Sequence, residues 1–370
     1  MKKWLLVLFI CCAFLYNDID AKAAPEARAA CLVELHSGRV LYEYNADEPL
    51  PMASTTKVMT ALLALEQSRL SEPVTCSDTA FGVPGTSIYL SVGETLTMEE
   101  MLQGLLLASG NDAATAIAEH IGDSVEGFAE LMNARARALG AANTRFVNPH
   151  GLPHGDHYTS ARDLARIARE AMKLPDFRRI VSTQRASIPW AGRDYSRQLR
   201  NKNRLLGEYP GATGIKTGYT RAAGRCLVFG AKRNGLEVVG VVLGCPGWFD
   251  VAAELLDAAF GSFTQVALLD AGEPVRFIPV SGGLFDGVNA VLHTTLGAPL
   301  RQGESPVLEV DLPAGLAAPV RAGQPIGTVR LVAGGQVLDE APLYPARDVP
   351  LLTFWNQLWR VLRRWCLLAR

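Results

Sequence analysis

The sequence carries almost no net charge, -1 over 370 residues at pH 7. Such a chain has no field that would gather polyanions, and no basic run interleaved with aromatic residues occurs before its last twenty residues. Nucleic acid is not an expected partner. Cysteine is scarce, 7 in all, and Cys11 and Cys12 fall in an N-terminal leader. The others, Cys31, Cys76, Cys226, Cys245 and Cys366, are odd in number and lack metal-ligand spacing, so they imply no disulfide framework and leave open only single pairs. A long apolar run is also missing near the N-terminus, where the stretch from Trp4 to Leu15 is too short to span a bilayer comfortably as a permanent helix. Met1-Lys2-Lys3 precedes it and Ala21-Lys22-Ala23 comes after it. Residues 1–23 therefore read as the positive region, apolar core and small-x-small cleavage site of a signal peptide. Ile10 before Cys11 is not the small residue that a lipoprotein signal would need. The protein is expected to be exported.

Histidine is rare too, 6 residues, yet His150, His154 and His157 cluster. Pro153 and Gly151 break any helix that would align their rings, and no Asp or Glu partner sits at regular spacing. No metal site and no cofactor are expected.

What is present is ordinary globular composition, 49% hydrophobic and 20% charged, in a chain too long for one compact core of typical size. Two folded units are the consequence. Residues 30 to 44 alternate apolar and polar around His36-Ser37-Gly38-Arg39, the pattern of a hairpin with one buried face. From 51 to 67 an apolar stripe through Met59, Leu62, Leu63 and Leu65 predicts a buried amphipathic helix, with Ser54 and Lys57 in its first turns. The pattern is helical again from 97 to 140, broken at Ser109-Gly110-Asn111, and from Ser160 to Met172 behind a Thr159 or Ser160 cap. Short β-rich runs come next at 213 to 219, 225 to 232 and 236 to 243, the last two joined by Arg233-Asn234-Gly235, a hairpin turn signal. A helical stretch from Asp250 to Phe260 closes the unit.

Strands, helices, strands, helix is the order of an α+β domain, an antiparallel sheet covered by helices, to which both ends of the segment contribute strands. This domain is assigned to residues 24–266. Residues 267–346 are rich in Val, Leu, Gly and Pro with almost no helical period, and predict a small all-β domain. The last segment, 347–370, is different. On a helix, Asn356, Gln357, Arg360, Arg363 and Arg364 form one stripe, while Phe354, Trp355, Leu358, Trp359, Leu362 and Trp365 cover the rest. Three arginines argue against spanning a bilayer, whereas Trp and Arg at the polar boundary suit an amphipathic helix lying on a membrane surface. The alternative is a terminal helix docked on its own protein.

Three short motifs carry chemistry. Ser54-Thr55-Thr56-Lys57 puts a hydroxyl and an amine on one helix face, near the positive end of the helix dipole. Burial beside another cation would make that lysine neutral enough to act as a base. Ser109-Gly110-Asn111 adds a hydroxyl able to relay a proton and an amide able to hold both an ammonium and a carbonyl. Lys216-Thr217-Gly218 lies in a predicted strand, where the glycine lets a substrate backbone approach and the lysine and threonine can bind a carboxylate. The backbone N–H groups of Ser54 and Tyr219 would complete an oxyanion hole.

Together these motifs form the set shared by penicillin-binding proteins and class A β-lactamases. Ala53-Ser54-Thr55-Thr56-Lys57-Val58-Met59-Thr60, Ser109-Gly110-Asn111-Asp112, Asn148-Pro149-His150-Gly151-Leu152-Pro153, His157-Tyr158-Thr159-Ser160-Ala161 and Gly214-Ile215-Lys216-Thr217-Gly218-Tyr219-Thr220 extend the match. Over roughly residues 28 to 262 the chain resembles the low-molecular-mass penicillin-binding proteins, serine-type D-alanyl-D-alanine carboxypeptidases of peptidase family S11. The resemblance implies a β-lactamase/transpeptidase-like fold and acyl transfer. Ser54 would attack the bond between the terminal D-alanines of a peptidoglycan stem peptide, with Lys57 as general base and Ser109 as relay. Asn111 would orient the substrate, and Lys216 and Thr217 would clamp its carboxylate beside Gly218 and Tyr219. β-Lactams would acylate the same serine, and the amphipathic tail would hold the enzyme at the outer face of the cytoplasmic membrane.

One departure concerns substrate stringency. Many relatives carry a basic residue after the strand that ends here in Leu243-Gly244, and Cys245-Pro246-Gly247-Trp248 supplies none. Lys216, Thr217 or Arg221 would have to suffice. A class A β-lactamase would need a glutamate to direct the deacylating water, and the loop from 143 to 160 offers Asp156 but no glutamate. An endopeptidase would use the same residues on a branched substrate. A non-catalytic wall-binding protein would tolerate loss of residues that are all present here.

Overall fold

The computed structural model describes residues 26–356 and 358. The expected signal peptide, and the expected C-terminal helix beyond its first residues, lie outside the described residues.

The chain opens with β1 (Ala29–Glu34) and β2 (Val40–Tyr44), then a 3-10 turn over Ala53–Thr56 and α1 (Lys57–Gln67). A small hairpin of β3 (Pro73–Thr75) and β4 (Thr95–Thr97) leads into α2 (Met98–Gln103), α3 (Asn111–Gly122), α4 (Val125–Ala138), α5 (Ala161–Ala171) and α6 (Pro175–Ser182). A second hairpin, β5 (Arg185–Ile188) and β6 (Arg197–Arg200), and the short α7 (Leu205–Glu208) precede β7 (Ala212–Thr220), β8 (Gly224–Arg233), β9 (Leu236–Leu243) and α8 (Trp248–Ser262).

The main sheet has the order β2-β1-β9-β8-β7, so the first and last strands of the segment meet at its centre. Every pairing is antiparallel. Both faces are covered, and the period of two shows which residue serves which face. Cys31, Val33, Cys226 and Val228 pack into the larger core with α1, α3 and α5. Ala30, Leu32, Leu227 and Phe229 point the other way, into the core closed by α8. Gly240 permits this packing, because a Cβ there would lie 2.3 Å from the Phe229 ring.

The helical block from 97 to 140 is more divided than its sequence pattern predicts. Thr97 caps α2 with a reciprocal capping box to Glu100. The helix then widens to a π-helical stretch over Gly104–Ala108 that ends at Ser109 in the left-handed region, φ 69°. A second break at Asp123, φ 58°, separates α3 from α4. The extra residue of a π stretch rotates the chain beyond it, and such stretches occur often at functional sites.

The described segment from residue 263 to 351 is β. It comprises β10 (Phe263–Leu269), β11 (Pro274–Ser281), β12 (Gly287–Leu292), β13 (Leu296–Arg301), β14 (Val307–Asp311), β15 (Leu316–Ala317), β16 (Gly327–Ala333) and β17 (Gln336–Pro345). A six-stranded sheet of order β14-β16-β17-β12-β11-β15 and the β10-β13 pair enclose their own core around Leu292, Leu296, Val329, Leu331 and Leu343. Arg39, at the tip of the first hairpin, ties the two parts together. It donates to both carboxylate oxygens of Glu304 at 2.8 and 2.7 Å and to the Pro299 carbonyl at 2.5 Å. No helix among the described residues is long and apolar enough to cross a membrane.

Candidate active site

The first motif begins in a tighter turn than the apolar stripe suggests. Ala53 takes a positive φ of 49°, and the hydroxyls of Thr55 and Thr56 donate back to the carbonyls of Met52 and Ala53 at 2.6 and 2.8 Å. Ser54 thus sits half-buried in a 3-10 turn, and Lys57 is the first α-helical residue. The Lys57 side chain is 0% exposed. Its amine donates to Ser54 Oγ at 3.3 Å, Asn111 Oδ1 at 2.7 Å and the His150 carbonyl at 2.8 Å. Burial holds its pKa well below that of an ordinary lysine, and the charges of Lys216 and Lys202 push it in the same direction.

The second motif straddles the end of the π stretch. Asn111 opens α3, and its amide is read on both sides: Oδ1 faces Lys57, while Nδ2 donates to the Pro84 carbonyl at 2.6 Å. Ser109 is buried two residues earlier, but among the described residues no hydrogen bond joins its hydroxyl to Ser54, Lys57 or Lys216.

The third motif lies on β7, the edge strand of the main sheet. Gly218 allows the strand to reach the serine turn, because a Cβ there would stand 2.9 Å from the Ser54 nitrogen and 3.0 Å from that of Thr55. Lys216, two residues back and on the same face, is 1% exposed and donates to the Thr217 carbonyl at 3.0 Å. Burial, then the charge of Lys202, lowers its pKa to about 7. Thr217 is buried, and Tyr219 stands 63% exposed beside the free strand edge. Ser54, Lys57, Asn111, Lys216 and Gly218 therefore converge from a turn, two helices and one strand.

The histidines have packing partners. His157 Nδ1 accepts from the Val147 N–H at 3.1 Å, which leaves Nε2 to donate to Thr56 Oγ1 at 2.8 Å. Burial lowers its pKa to about 4. Burial, then the charge of Lys57, takes His150 to about 3.

Two contributors escape the sequence reading. Lys202 has its amine 3.5 Å from Thr86 Oγ1, and its charge reaches both motif lysines. It supplies a third cation from the segment before α7, whereas the position after Gly244 is a buried cysteine. Its only sequence signal is the flanking Asn201 and Asn203, which build the turn through hydrogen bonds to Val181, Thr183 and Leu205. The other contributor is the loop from Pro84 to Leu90, which has no periodic pattern.

The catalytic part of the sequence, residues 17–247, matches the model of the peptidase S11 family, D-alanyl-D-alanine carboxypeptidase. The chain belongs to that family. Residues 263–351 match the C-terminal domain of penicillin-binding protein 5. The chain is 34% identical to the D-alanyl-D-alanine carboxypeptidase DacF of Bacillus subtilis (strain 168), over 98% of this chain and 96% of the relative. Identity to the D-alanyl-D-alanine carboxypeptidase DacC of Escherichia coli (strain K12) is 30%, over 96% and 92%. Penicillin binding protein 5 from Haemophilus influenzae superposes with a TM-score of 0.72 at 29% identity, covering 88% of this chain and 98% of that one. The α+β, penicillin-binding fold with an all-β C-terminal part is therefore shared along nearly the whole length.

The lysines of this carboxypeptidase give its stability a pH dependence of definite sign. Between about 7 and its ordinary 10.5, Lys216 is neutral in the folded chain and protonated in the unfolded one. The unfolded chain then binds more protons, so stability rises with pH, by up to about 1.4 kcal/mol per unit for one such group. Lys57 acts in the same direction. Buried thiols such as Cys31, whose pKa is pushed up from 9.0 to about 12, oppose this above pH 9. Thermal melts at about pH 7.5 and pH 8.5 should therefore show the wild type gaining stability relative to Lys216→Met. Equal pH slopes in the two proteins would mean that Lys216 is charged when folded.

Proposed function

We propose that this carboxypeptidase removes the terminal D-alanine of peptidoglycan stem peptides through an acyl-enzyme on Ser54. The observation that carries the reading is the Lys57 amine, fully buried, depressed in basicity and 3.3 Å from Ser54 Oγ. Neutral Lys57 takes the Ser54 proton as Oγ bonds to the carbonyl carbon of the penultimate D-alanine. The backbone N–H groups of Ser54 and Tyr219 receive the developing oxyanion. The C–N bond then breaks, and the proton returns through the Ser109 hydroxyl to the leaving amine. Water hydrolyses the Ser54 ester, releasing the shortened stem.

Asn111 orients the substrate and Lys57 together. Lys216 and Thr217 hold the terminal carboxylate at the open edge of β7, beside Gly218 and Tyr219, and Lys202 contributes the charge that the segment after Gly244 lacks. β-Lactams, whose strained amide meets the same serine, act as inhibitors. In this reading residues 1–23 direct export, 24–266 carry the reaction, 267–346 form a small β-rich domain and 347–370 hold the enzyme on the outer face of the cytoplasmic membrane.

The direct test is incubation with benzylpenicillin and then peptide mapping, together with D-alanine release from diacetyl-Lys-D-Ala-D-Ala. A stable adduct on the peptide containing Ser54, with D-alanine released, is the expected outcome. An adduct on another residue, or no adduct and no D-alanine from folded protein, would overturn the proposal. Rapid penicillin turnover without a trapped adduct would point to a β-lactamase.

A further inference from the structure

Asp112 comes directly after Asn111 in the first turn of α3 and is 1% exposed. Its carboxylate is surrounded by donors from another part of the chain. Ser87 Oγ donates to it at 2.5 Å, the Ile88 N–H lies 3.1 Å from both oxygens, and the Leu90 N–H is 3.1 Å from Oδ2. The Ala113 N–H adds a local contact at 2.9 Å. Capturing the amides of residues 88 and 90 on one carboxylate leaves Tyr89 between them turned outward. Its φ is 60°, a conformation uncommon for a residue with a side chain, and its ring is 72% exposed. Arg197 holds the Tyr89 carbonyl at 3.2 Å and is itself fixed by Glu94 at 2.9 Å.

The other end of this loop reaches the catalytic amide. The Thr86 carbonyl accepts the Asn111 N–H at 2.7 Å, and the Pro84 carbonyl accepts from Asn111 Nδ2 at 2.6 Å. A carbonyl accepts only from the NH2 side of an amide, so Pro84 dictates that Oδ1 turns toward Lys57. Gly85 permits the close passage, since a Cβ there would lie 2.8 Å from Asn111 Nδ2. The chain of contacts therefore runs from Asp112 through the 84–90 loop to the Asn111 amide and on to the Lys57 amine.

We propose that Asp112 is a positioning residue of the reaction: by gathering the 84–90 loop it sets which way the Asn111 amide faces, and so holds the Lys57 amine beside Ser54. This rests on the reading of Lys57 as the base for Ser54. The charge of Asp112 acts on the same lysine. The groups facing Lys57 are Lys216 on β7, Lys202 before α7, His150 in the 148–152 loop and Asp112 on α3. Of the charges acting on Lys57, those of Lys216 and Lys202 lower its pKa and that of Asp112 raises it. His150, with a pKa of about 3, is uncharged at working pH. Neutralising Asp112 should therefore leave Lys57 unprotonated at lower pH and move the acid limb of acylation downward.

The experiment compares wild type, Asp112→Asn and Ser87→Ala in D-alanine release from diacetyl-Lys-D-Ala-D-Ala and in acylation by benzylpenicillin between about pH 5 and pH 9. Asp112→Asn should lose about tenfold or more in kcat with KM within about twofold, and its acid limb should shift to lower pH. Ser87→Ala, which removes one loop donor and no charge, should lose about threefold in kcat with the limb unmoved. A purely structural Asp112 would lower the melting temperature and the fraction of active enzyme but leave kcat per acylated site and the pH limb at wild-type values, and that result overturns the proposal. Should Asp112→Asn fail to fold, a wild-type kcat in Ser87→Ala overturns it equally. Wild-type enzyme that is not acylated on Ser54 would instead defeat the reading on which the proposal rests.

Discussion

Lys57→Ala is expected to slow acylation by benzylpenicillin by about a thousandfold or more, and Ser54→Ala to abolish the covalent adduct. The size of the loss comes from position rather than from residue type. Lys57 is the only described lysine within hydrogen-bond distance of Ser54 Oγ. Losing the amine also leaves Asn111 Oδ1 and the His150 carbonyl without the donor they share, so the remaining site is disordered as well as short of a base. Residues that act as one unit do not add. The double variant should accordingly release D-alanine no more slowly than Ser54→Ala alone. Stopped-flow acylation and steady-state release measure both quantities, and a Lys57→Ala enzyme within tenfold of wild type would transfer the base to another group.

How much of this was legible in the sequence depends on whether contacts are local or assembled. The strands of the main sheet were, because the runs at 225 to 232 and 236 to 243 are β-rich and Asn234-Gly235 marks the turn between them. The alternation in residues 30 to 44, however, predicts one buried face, whereas β1 is buried on both because α8 covers the second face from far along the chain. Ser54 and Lys57 were also visible as a pair, since three-residue spacing brings side chains together in both a 3-10 turn and an α-helix. Other features had no local trace. The π stretch over Gly104–Ala108 is written in Leu105-Leu106-Leu107, an apolar run that fits an α-helix equally well. Lys202 and the Pro84 carbonyl join the site only because the chain returns to it from separate segments. Where family resemblance places a basic residue after Gly244 the chain has buried Cys245, and the position of Lys202, whose charge reaches both motif lysines, could not be found by aligning short motifs. Ser109 is the reverse case. Its motif was plain, but its hydroxyl makes none of the contacts to Ser54, Lys57 or Lys216 that a relay would use before substrate binds.

Gly151→Ala should produce the largest loss of stability among small substitutions near the site, about 3 kcal/mol or more, and carry acylation down with it. Gly151 has a φ of +89°, and a Cβ added there would stand 1.9 Å from the Ala53 carbonyl oxygen and 2.9 Å from Thr56 Oγ1. Neither neighbour is a flexible side-chain end. Ala53 is the backbone that presents Ser54, and Thr56 is pinned between the Ala53 carbonyl and His157. Relief by moving the 148–152 loop is also costly, because the Gly151 and His150 amides both donate to Asn148 Oδ1 and the His150 carbonyl accepts from Lys57. Whichever side yields, Ser54 and Lys57 part, so the melting temperature and the acylation rate should fall together. Gly155→Ala in the same segment is the control: nothing lies within 4 Å of its added Cβ, and its stability should stay within about 0.5 kcal/mol of wild type. If Gly151→Ala instead melts like Gly155→Ala yet is acylated slowly, the loop has moved without loss of packing and its hold on Lys57 is the sensitive element. If both variants match wild type in both measurements, the close passage of this loop behind the serine turn does not constrain the site.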